Sequence, residues 1–410
     1  MSTNHEPSKL SKDIPFLSNS DAISYVSSSK LMVLVSNSNL HILQRVCTVY
    51  GNNASCVSED DEIKRYELAL KACQKDQHVV AINVGDIQDP VSPKLQPFSK
   101  LAYDYNYIVS FVDETQSILP DYIGWHLNEA DSCMLGLCAK ALLDDLLRNN
   151  SEFCSDFRNF SQSETIPEML EYYQLAPSNH NGMLHCTAKY FGANPPPSSE
   201  KYFTVVKENI TMAFETTVIG LVFTPRTFGA RLKLSSEQLK LWGGDDTTNS
   251  FREIKPSSIK ENGSNQSLQQ DSMSSLSSAM AEKLVLNDSE RSIVPPCPST
   301  TKEKSPRYFP NCQASLVYPT ENASDDPDFH PVSGEGRKAH MTLGIAPGES
   351  AVTTGYDLLE IVELEKQVKD WKTYEVSRGW LRDYGENRWV LYMKNKITVN
   401  SLFAGVYNFS

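Results

Sequence analysis

Two tripeptides of the form His-x-Thr carry the residues in this chain most suited to chemistry. The first is His185-Cys186-Thr187, and the second, far along the chain, is His340-Met341-Thr342. Side chains of an extended strand alternate between its two faces. Each tripeptide and its apolar neighbours therefore predict a strand with one buried apolar face, and with an imidazole and a hydroxyl on the other face.

Two such strands, brought together, would supply the groups needed to split a phosphate ester. One imidazole would activate water and the other would protonate the leaving oxygen, while the threonine hydroxyls donate hydrogen bonds to phosphoryl oxygens. Histidine suits both tasks because its unperturbed pKa lies near neutrality. A single His-x-Thr occurs often by chance, but both copies share the same phasing and both begin a segment punctuated by glycine. They predict His185 and His340 as an acid–base pair, with Thr187 and Thr342 as phosphate-binding residues.

Charge limits the kind of partner. The formal net charge is -13, which argues against a protein that coats long nucleic acids through its overall field. Lys189 and Lys338 lie close to the two motifs and could still help to bind one phosphate. For Lys189 we prefer a solvated strand face as the interpretation.

Length and composition predict an intracellular protein of more than one domain. The 410 residues exceed what one typical core holds. Apolar runs near the length of a membrane span and a secretory pattern are both missing, so we expect a cytoplasmic location. Ser2 and the final segment Val406–Ser410 provide no myristoylation or prenylation signal. The nine cysteines are odd in number and scattered, and we expect reduced thiols.

The N-terminal part predicts a small α/β domain. Residues 1–27 are polar and Ser-rich and are expected to form a flexible tail. Within residues 28–120, apolar runs and helical periodicity alternate along the chain. The runs predict strands at 31–35, 78–84 and 107–112, and the periodicity predicts helices at 40–49 and 62–72.

This domain lacks the parts that hold ATP. In a P-loop domain the first strand is followed by Gly-x-x-x-x-Gly-Lys-Ser/Thr, whose backbone and lysine meet the phosphates. The corresponding loop here, Ser36–His41, contains neither glycine nor lysine. We therefore interpret it as a degenerate P-loop and expect neither ATP binding nor kinase activity.

The remaining chain predicts a second domain formed by residues 121–245 and 336–410. Residues 246–335, rich in serine and proline, are expected to be a disordered insertion between these two parts. Patterns before the insertion predict helices at 129–148, 167–173, 198–208 and 237–242, and a hairpin of strands 211–224 and 230–234. Patterns after it predict a helix at 356–368 and strands at 388–393 and 397–407, joined by a hairpin turn at 394–396.

Five segments, in this order along the chain, carry a family resemblance: Met183–Lys189, Phe223–Arg231, Ala339–Gly344, Thr354–Ile361 and Phe403–Tyr407. Together they resemble the vertebrate-type 2',3'-cyclic-nucleotide 3'-phosphodiesterases, a family of the two-histidine phosphoesterases. The resemblance covers residues 120–242 and 336–409, and the N-terminal half resembles more weakly the polynucleotide-kinase-like domain of that family. The fold class implied is α/β (α+β), with a P-loop-like parallel sheet followed by a two-lobed domain of antiparallel sheets.

The resemblance implies hydrolysis of nucleoside 2',3'-cyclic phosphates to 2'-phosphates, without a metal ion or another cofactor. The catalytic pair of the family falls on His185 and His340, and its phosphate-binding hydroxyls fall on Thr187 and Thr342. Sequence does not fix which histidine is the base. The resemblance favours His340 as the group that activates water and His185 as the proton donor to the leaving 3'-oxygen.

Three further residues enter through the resemblance as substrate-binding positions. Tyr190 matches the aromatic residue that stacks on the base, for which packing within the sheet is the alternative. Tyr122 matches a residue near the active site. Lys338 stands where the family has arginine, which keeps the charge but loses a bidentate donor and predicts weaker substrate affinity.

Expected partners are nucleoside 2',3'-cyclic phosphates, or RNA ends that carry them, and the resemblance also implies association with the cytoskeleton or a membrane surface. Two alternatives remain open. A catalytically weak scaffold that binds RNA or the cytoskeleton is disfavoured because both His-x-Thr motifs are intact. An RNA-repair enzyme with a kinase step is disfavoured because the loop at Ser36–His41 lacks the glycine and the lysine.

Overall fold

A parallel and an antiparallel β-sheet organise the chain. The computed structural model describes residues 14–85, 94–112, 119–175, 183–192, 195–244, 246, 334–367 and 371–407. The insertion expected at residues 246–335 therefore lies almost wholly outside the described residues, as do residues 1–13 of the expected tail.

The parallel sheet confirms the predicted α/β character of the N-terminal part. Its strands run in the order β2-β3-β1-β4, and all their pairings are parallel. Every residue of β1 is buried, as expected for a strand covered on both faces. The elements of this part are α1 (Pro15–Ser18), α2 (Ser20–Ser27), β1 (Leu31–Ser36), α3 (His41–Tyr50), β2 (Ala54–Val57), α4 (Glu62–Gln74), β3 (Val79–Gly85), α5 (Gln96–Asp104) and β4 (Ile108–Val112).

The segment expected to be a flexible tail is ordered from residue 14 onwards. It forms α1 and α2, and Phe16 and Tyr25 are buried. The Phe16 amide donates to Thr211 Oγ1 at 3.2 Å, and the Tyr25 hydroxyl donates to the His126 carbonyl at 3.0 Å. The few apolar residues of this Ser-rich segment have a surface to bury against, which sequence composition did not reveal.

Cysteine pairing also departs from expectation. Cys47 of α3 and Cys56 of β2 form a disulfide, with their Cα atoms 6.8 Å apart. The expectation of reduced thiols was wrong for this pair, because the fold places α3 against β2, a juxtaposition that cysteine spacing did not indicate. Cys186 of the antiparallel sheet, by contrast, is a buried free thiol.

The antiparallel sheet has two lobes, which share the long strand β13. One path runs β11-β12-β13-β8-β9-β10-β6, and β13 also pairs with β5, which pairs with β7. The strands are β5 (Tyr122–His126), β6 (Gln174–Leu175), β7 (His185–Tyr190), β8 (Ala213–Phe223), β9 (Thr227–Lys233), β10 (His340–Ile345), β11 (Thr373–Val376), β12 (Gly379–Asp383) and β13 (Trp389–Val406).

The β8–β9 hairpin is confirmed, but the turn expected at residues 394–396 is not. β13 continues through these residues as one strand of 18 residues. Its pairing with β8 shifts register there, from Tyr392 opposite Gly220 to Ile397 opposite Val218. Because β8 pairs with both halves of β13, the polar residues form a bulge instead of reversing the chain.

Helices pack around the antiparallel sheet. Leu135, Ala139, Leu143 and Leu146 of α6 are buried, as the predicted apolar stripe required. The helices are α6 (Glu129–Asn149), α7 (Ser151–Ser161), α8 (Ile166–Leu170), α9 (Pro197–Val206), α10 (Ser236–Leu239) and α11 (Thr353–Glu365). Among the residues described, no helix combines the length and the apolar character that a membrane crossing requires.

Candidate active site

The two His-x-Thr strands lie next to each other. Cα atoms of β7 and β10 approach within 8 Å. Cys186 and Ala188 of β7, and Met341 and Leu343 of β10, are buried in one shared hydrophobic core. Because side chains alternate along a strand, the histidine and threonine of each motif lie on the face opposite this core. The phasing predicted from the sequence is confirmed.

A direct contact joins the two motifs. The thiol of Cys186, between His185 and Thr187, lies close to the main chain of His340. Burial raises the pKa of this thiol to about 12, and the contact with His340 opposes the rise. Cys186 is therefore a protonated packing residue at the junction of the two motifs, and its position places His340 beside the first motif.

The His340 ring is oriented by its own main chain. Its Nδ1 lies 2.7 Å from the carbonyl oxygen of Lys338, and we assign the proton to Nδ1, which leaves Nε2 as an acceptor. Burial lowers the pKa of His340 below its usual value of 6.5. The bond to Lys338 and the charge of Asp357 raise this pKa, while the Lys338 ammonium group lowers it further. The ring is thus neutral near pH 7 and has the properties of a general base.

Helix α11 covers the face of β10 that carries His340 and Thr342. A Cβ atom added at Gly355 would lie 3.0 Å from His340 Cε1, so the helix backbone contacts the ring edge. The Thr342 hydroxyl donates to Thr354 Oγ1 at 3.0 Å and to the Ala351 carbonyl at 3.3 Å. The helix was predicted to begin at residue 356, which missed the first turn and with it the contacts to both motif residues.

A buried carboxylate ties α11 to the β8–β9 turn. Asp357 is 1% exposed and accepts hydrogen bonds from Thr224 Oγ1 at 2.5 Å and Thr227 Oγ1 at 2.7 Å. It also pairs with the Arg226 guanidinium. These residues belong to segments on which the family resemblance rested, but sequence alone did not show that they meet.

A fully buried ion pair lies beside His340. Arg231 stands opposite His340 across β9 and β10 and pairs with Glu365 at the end of α11, through Nη2 and Oε2 at 2.9 Å. Tyr392 of β13 donates to the same carboxylate. Both ends of α11 are therefore anchored to the strands that hold His340.

Two rings lie nearly parallel to that of His185. The Tyr122 ring centroid is 4.9 Å from that of His185, with 25° between the planes. The His126 centroid is 5.3 Å away, with 21° between the planes. Tyr122 thus lies beside the first motif, where the resemblance put it near the active site. His126 was not predicted, although its spacing from Tyr122 places both on one face of β5.

A glycine lets β5 approach β7 closely. A Cβ atom at Gly124 would lie 2.1 Å from the Cys186 carbonyl oxygen, so any side chain there would separate the strands. Gly124 pairs with Thr187 at a register shift in the β5–β7 ladder. This close approach brings Tyr122 and His126 to the His185 ring.

The other predicted residues take less buried positions. Tyr190 pairs with Tyr122 across the two strands and is 68% exposed. Lys338 and Lys189 are both half-buried. In the described part of the chain, His, Cys, Asp and Glu side chains do not gather in groups of three or more that could hold a metal ion.

A parallel sheet joined to a two-lobed antiparallel sheet, with two adjacent His-x-Thr strands in the latter, is the architecture expected of a two-histidine phosphoesterase. The family model described as 2',3'-cyclic nucleotide 3'-phosphodiesterase (CNP or CNPase) matches residues 119–267 and 316–410. This match covers more than half of the chain, and the chain therefore belongs to this family.

Curated relatives agree with this assignment. A 2',3'-cyclic-nucleotide 3'-phosphodiesterase of Pongo abelii is 26% identical over 295 residues, which are 71% of this chain and 51% of the relative. Proteins of the same name from Rattus norvegicus and Mus musculus are 25% identical over the same shares. The chain spans about half the length of the curated relatives it matches. The resemblance stated from the sequence is confirmed.

Proposed function

We propose that this protein hydrolyses nucleoside 2',3'-cyclic phosphates to nucleoside 2'-phosphates, without a metal ion, through His185 and His340. The observation that carries the proposal is the adjacency of the two His-x-Thr strands, whose Cα atoms approach within 8 Å and whose apolar faces share one core. Family membership and the names of the relatives support the reaction class. RNA ends that carry a 2',3'-cyclic phosphate are substrates of the same chemistry.

His340 is the general base in this mechanism. Its Nδ1 is committed to the Lys338 carbonyl, so Nε2 takes a proton from water while the water oxygen attacks phosphorus. The lowered pKa keeps the ring deprotonated at neutral pH. A new bond forms between phosphorus and the water oxygen.

His185 is the general acid. As the bond from phosphorus to the 3'-oxygen breaks, His185 gives its proton to that oxygen, which leaves as a free 3'-hydroxyl. The phosphate stays on the 2'-oxygen. One proton has moved from water to His340 and one from His185 to the product, and exchange with solvent restores both histidines.

The remaining motif residues stabilise charge and hold the substrate. Thr187 donates a hydrogen bond to one non-bridging oxygen, where negative charge accumulates in the transition state. Thr342 turns its one hydroxyl proton from Thr354 and the Ala351 carbonyl to the other oxygen when substrate binds. The Lys338 ammonium group adds a positive charge near them. Tyr190, which is 68% exposed, stacks on the base, and the Tyr122 ring lies nearly parallel to that of His185.

The test uses the purified full chain with 2',3'-cyclic AMP in excess EDTA, with the product identified by chromatography. We expect 2'-AMP to form at a rate unchanged by chelation. His185→Ala and His340→Ala should each lower kcat by about 10³-fold, since each removes a proton-transfer group. An RNA oligonucleotide ending in a 2',3'-cyclic phosphate should be hydrolysed to the 2'-phosphate in the same assay.

His78→Ala is the matched control, because His78 lies before β3 in the parallel sheet and bonds with the Ser27 carbonyl. It should retain wild-type activity. A requirement for added metal would contradict the mechanism, and formation of 3'-AMP would reverse the assignment of the leaving oxygen. Wild-type kcat in either motif variant would remove that histidine from catalysis.

A further inference from the structure

His126 is a buried imidazole to which the mechanism above gives no task. It ends β5, its residue is 4% exposed, and it stands directly opposite His185 in the β5–β7 ladder. Side chains directly opposite in an antiparallel pair lie on the same face. His126 therefore shares the polar face of β7 with the first catalytic histidine.

The three rings on this face form one aromatic cluster, made of Tyr122, His126 and His185. Besides the two distances to His185, the Tyr122 and His126 centroids are 6.0 Å apart, with 22° between the planes. All three planes are thus within 25° of one another. The His185 ring lies alongside both neighbours in an offset, nearly parallel arrangement, which is a favoured geometry for aromatic pairs.

His126 is itself anchored on several sides. It pairs with Leu402 of β13 as well as with His185 of β7. Its carbonyl accepts a hydrogen bond from the buried Tyr25 hydroxyl of α2. These contacts fix the main chain of His126, and its burial leaves the ring little room to move, so that a neighbouring ring can be aligned against it.

The two catalytic histidines need different means of orientation. The second side-chain torsion of histidine has broad minima, so the rotamer alone does not fix the plane of the ring. In His340 the plane is set by the Lys338 carbonyl and by contact with Gly355. In His185 the parallel rings of Tyr122 and His126 limit the same rotation.

We propose that His126 is a positioning residue for His185, and that stacking of its ring holds the plane of the catalytic imidazole so that the proton-bearing nitrogen meets the leaving oxygen. The role of His185 as general acid rests on the function proposed above. Positioning requires the flat ring of His126, not its nitrogens.

The decisive comparison is between His126→Ala and His126→Phe, with kcat and KM measured on 2',3'-cyclic AMP. The alanine variant removes the ring and should lower kcat about 10- to 100-fold with KM changed less than about threefold, because geometry is lost while binding contacts remain. The phenylalanine variant keeps a flat ring and should restore kcat to within about threefold of wild type. Thermal melting of both variants excludes unfolding as the cause.

A second readout does not depend on activity. The imidazole ring protons of His185, assigned by their loss in His185→Gln, are followed by NMR in the wild type and in both His126 variants. In His126→Ala we expect the His185 signals to lose their ring-current shift and to become broader. In His126→Phe we expect nearly wild-type signals. This pattern would support stacking even if cyclic phosphates proved not to be the substrate.

Two results would overturn the proposal. One is wild-type kcat in a folded His126→Ala variant. The other is a folded His126→Phe variant as slow as His126→Ala, since the nitrogens of His126 would then matter more than its ring. His78→Ala, which removes an imidazole outside the cluster, should leave both kcat and the His185 resonances unchanged.

Discussion

His185 and His340 are held by different kinds of contact, and this decides what could be predicted about each. The orientation of His340 depends on a carbonyl only two residues earlier in the chain, so the second motif carries part of its own geometry. The orientation of His185 depends on rings from another strand. The alternation within each tripeptide predicted the polar faces correctly, but no local pattern could show which rings β5 would bring to His185.

The positive charge of Lys338, acting on the single residue His340, leads to a prediction about how activity depends on pH. The pKa of His340 lies below 6.5, mainly through burial, and the Lys338 ammonium group lowers it further. Activity should therefore fall as pH drops through that lowered pKa, because protonation removes the base. Lys338→Met removes the lowering charge and keeps the carbonyl contact, so the acid limb should move to higher pH, and KM should rise about three- to tenfold as a phosphate contact is lost.

The measurement is log kcat/KM for 2',3'-cyclic AMP between about pH 5 and 8 at constant ionic strength, which reports groups of the free enzyme. Lys189→Met is the matched control, because Lys189 lies on the other motif strand and we interpret it as a solvated residue. It should leave the acid limb in place. An acid limb that stays fixed or moves to lower pH in Lys338→Met would contradict the assignment of His340 as the base.

At the scale of elements, α11 determines whether His340 and Thr342 of the second motif are held in place. Its first turn contacts Thr342 and His340, its second turn carries Asp357 to the β8–β9 turn, and its end holds Arg231 through Glu365. Small residues make this close packing possible: a Cβ atom at Gly229 would lie 2.7 Å from Thr354 Cγ2. The helix thus links β8, β9 and β10 into one support for His340.

A substitution at Gly355 tests whether contact with α11 holds the His340 ring in place. In Gly355→Ala the new methyl group meets His340 Cε1 at 3.0 Å, which is closer than such contacts normally come. We expect the ring to shift and kcat to fall about tenfold, with little change in KM, since small displacements of a catalytic group have large effects on rate.

Gly136 of α6 provides the matched helical glycine, because no atom lies within 4 Å of a Cβ added there. Gly136→Ala should keep wild-type kcat and raise stability by about 0.5–1 kcal/mol through better helix propensity. Both variants would be compared by steady-state kinetics and by denaturant unfolding. Equal kcat in the two variants would show that α11 does not constrain His340.

Helices and strands were predicted correctly where the sequence pattern was long and regular. They were predicted wrongly where pairing with neighbouring strands determined the structure. The stripe on α6 and the apolar runs of β1 and β3 needed no tertiary information. The polar residues at 394–396 resembled a hairpin turn, yet β13 runs straight through them because β8 pairs with both of its halves. Strand β5 is only 5 residues long, which is too short for alternation to distinguish it from a loop.

At the scale of the whole molecule, β13 connects the two sheets. Leu402 and Ala404 are buried in a core with residues of α1, α2 and β1, and Tyr407 packs in the core on the other side of the parallel sheet. The Ser99 hydroxyl of α5 donates to the Tyr407 carbonyl at 3.1 Å. The boundary at residue 120 remains a prediction about folding units, but Leu402, Ala404 and Tyr407 from beyond it are buried in the cores around the parallel sheet, a property that composition along the chain could not reveal.

The loop after β1 lacks the geometry with which a parallel sheet of this kind would bind ATP. Its polar side chains bond with one another: Ser36 Oγ and Ser38 Oγ are 2.9 Å apart, and Asn39 Nδ2 donates to Ser36 Oγ at 3.1 Å. A P-loop would instead direct backbone amides and a lysine toward phosphates. We therefore expect millimolar ATP with magnesium to leave the melting temperature of the full chain unchanged.

The proposed product 2'-AMP serves as the positive control, because a ligand that binds only the folded chain stabilises it by RT ln(1 + [L]/Kd). It should raise the melting temperature of the wild type and raise it less in Lys338→Met, which lacks one of the cations expected to meet the phosphate. A shift with ATP that persists in Lys338→Met would locate nucleotide binding outside the His-x-Thr site and contradict the interpretation of the Ser36–His41 loop. A shift with ATP that Lys338→Met abolishes would instead mean that the phosphodiesterase site accepts ATP as a weak product analogue, and the parallel sheet would still have no nucleotide of its own.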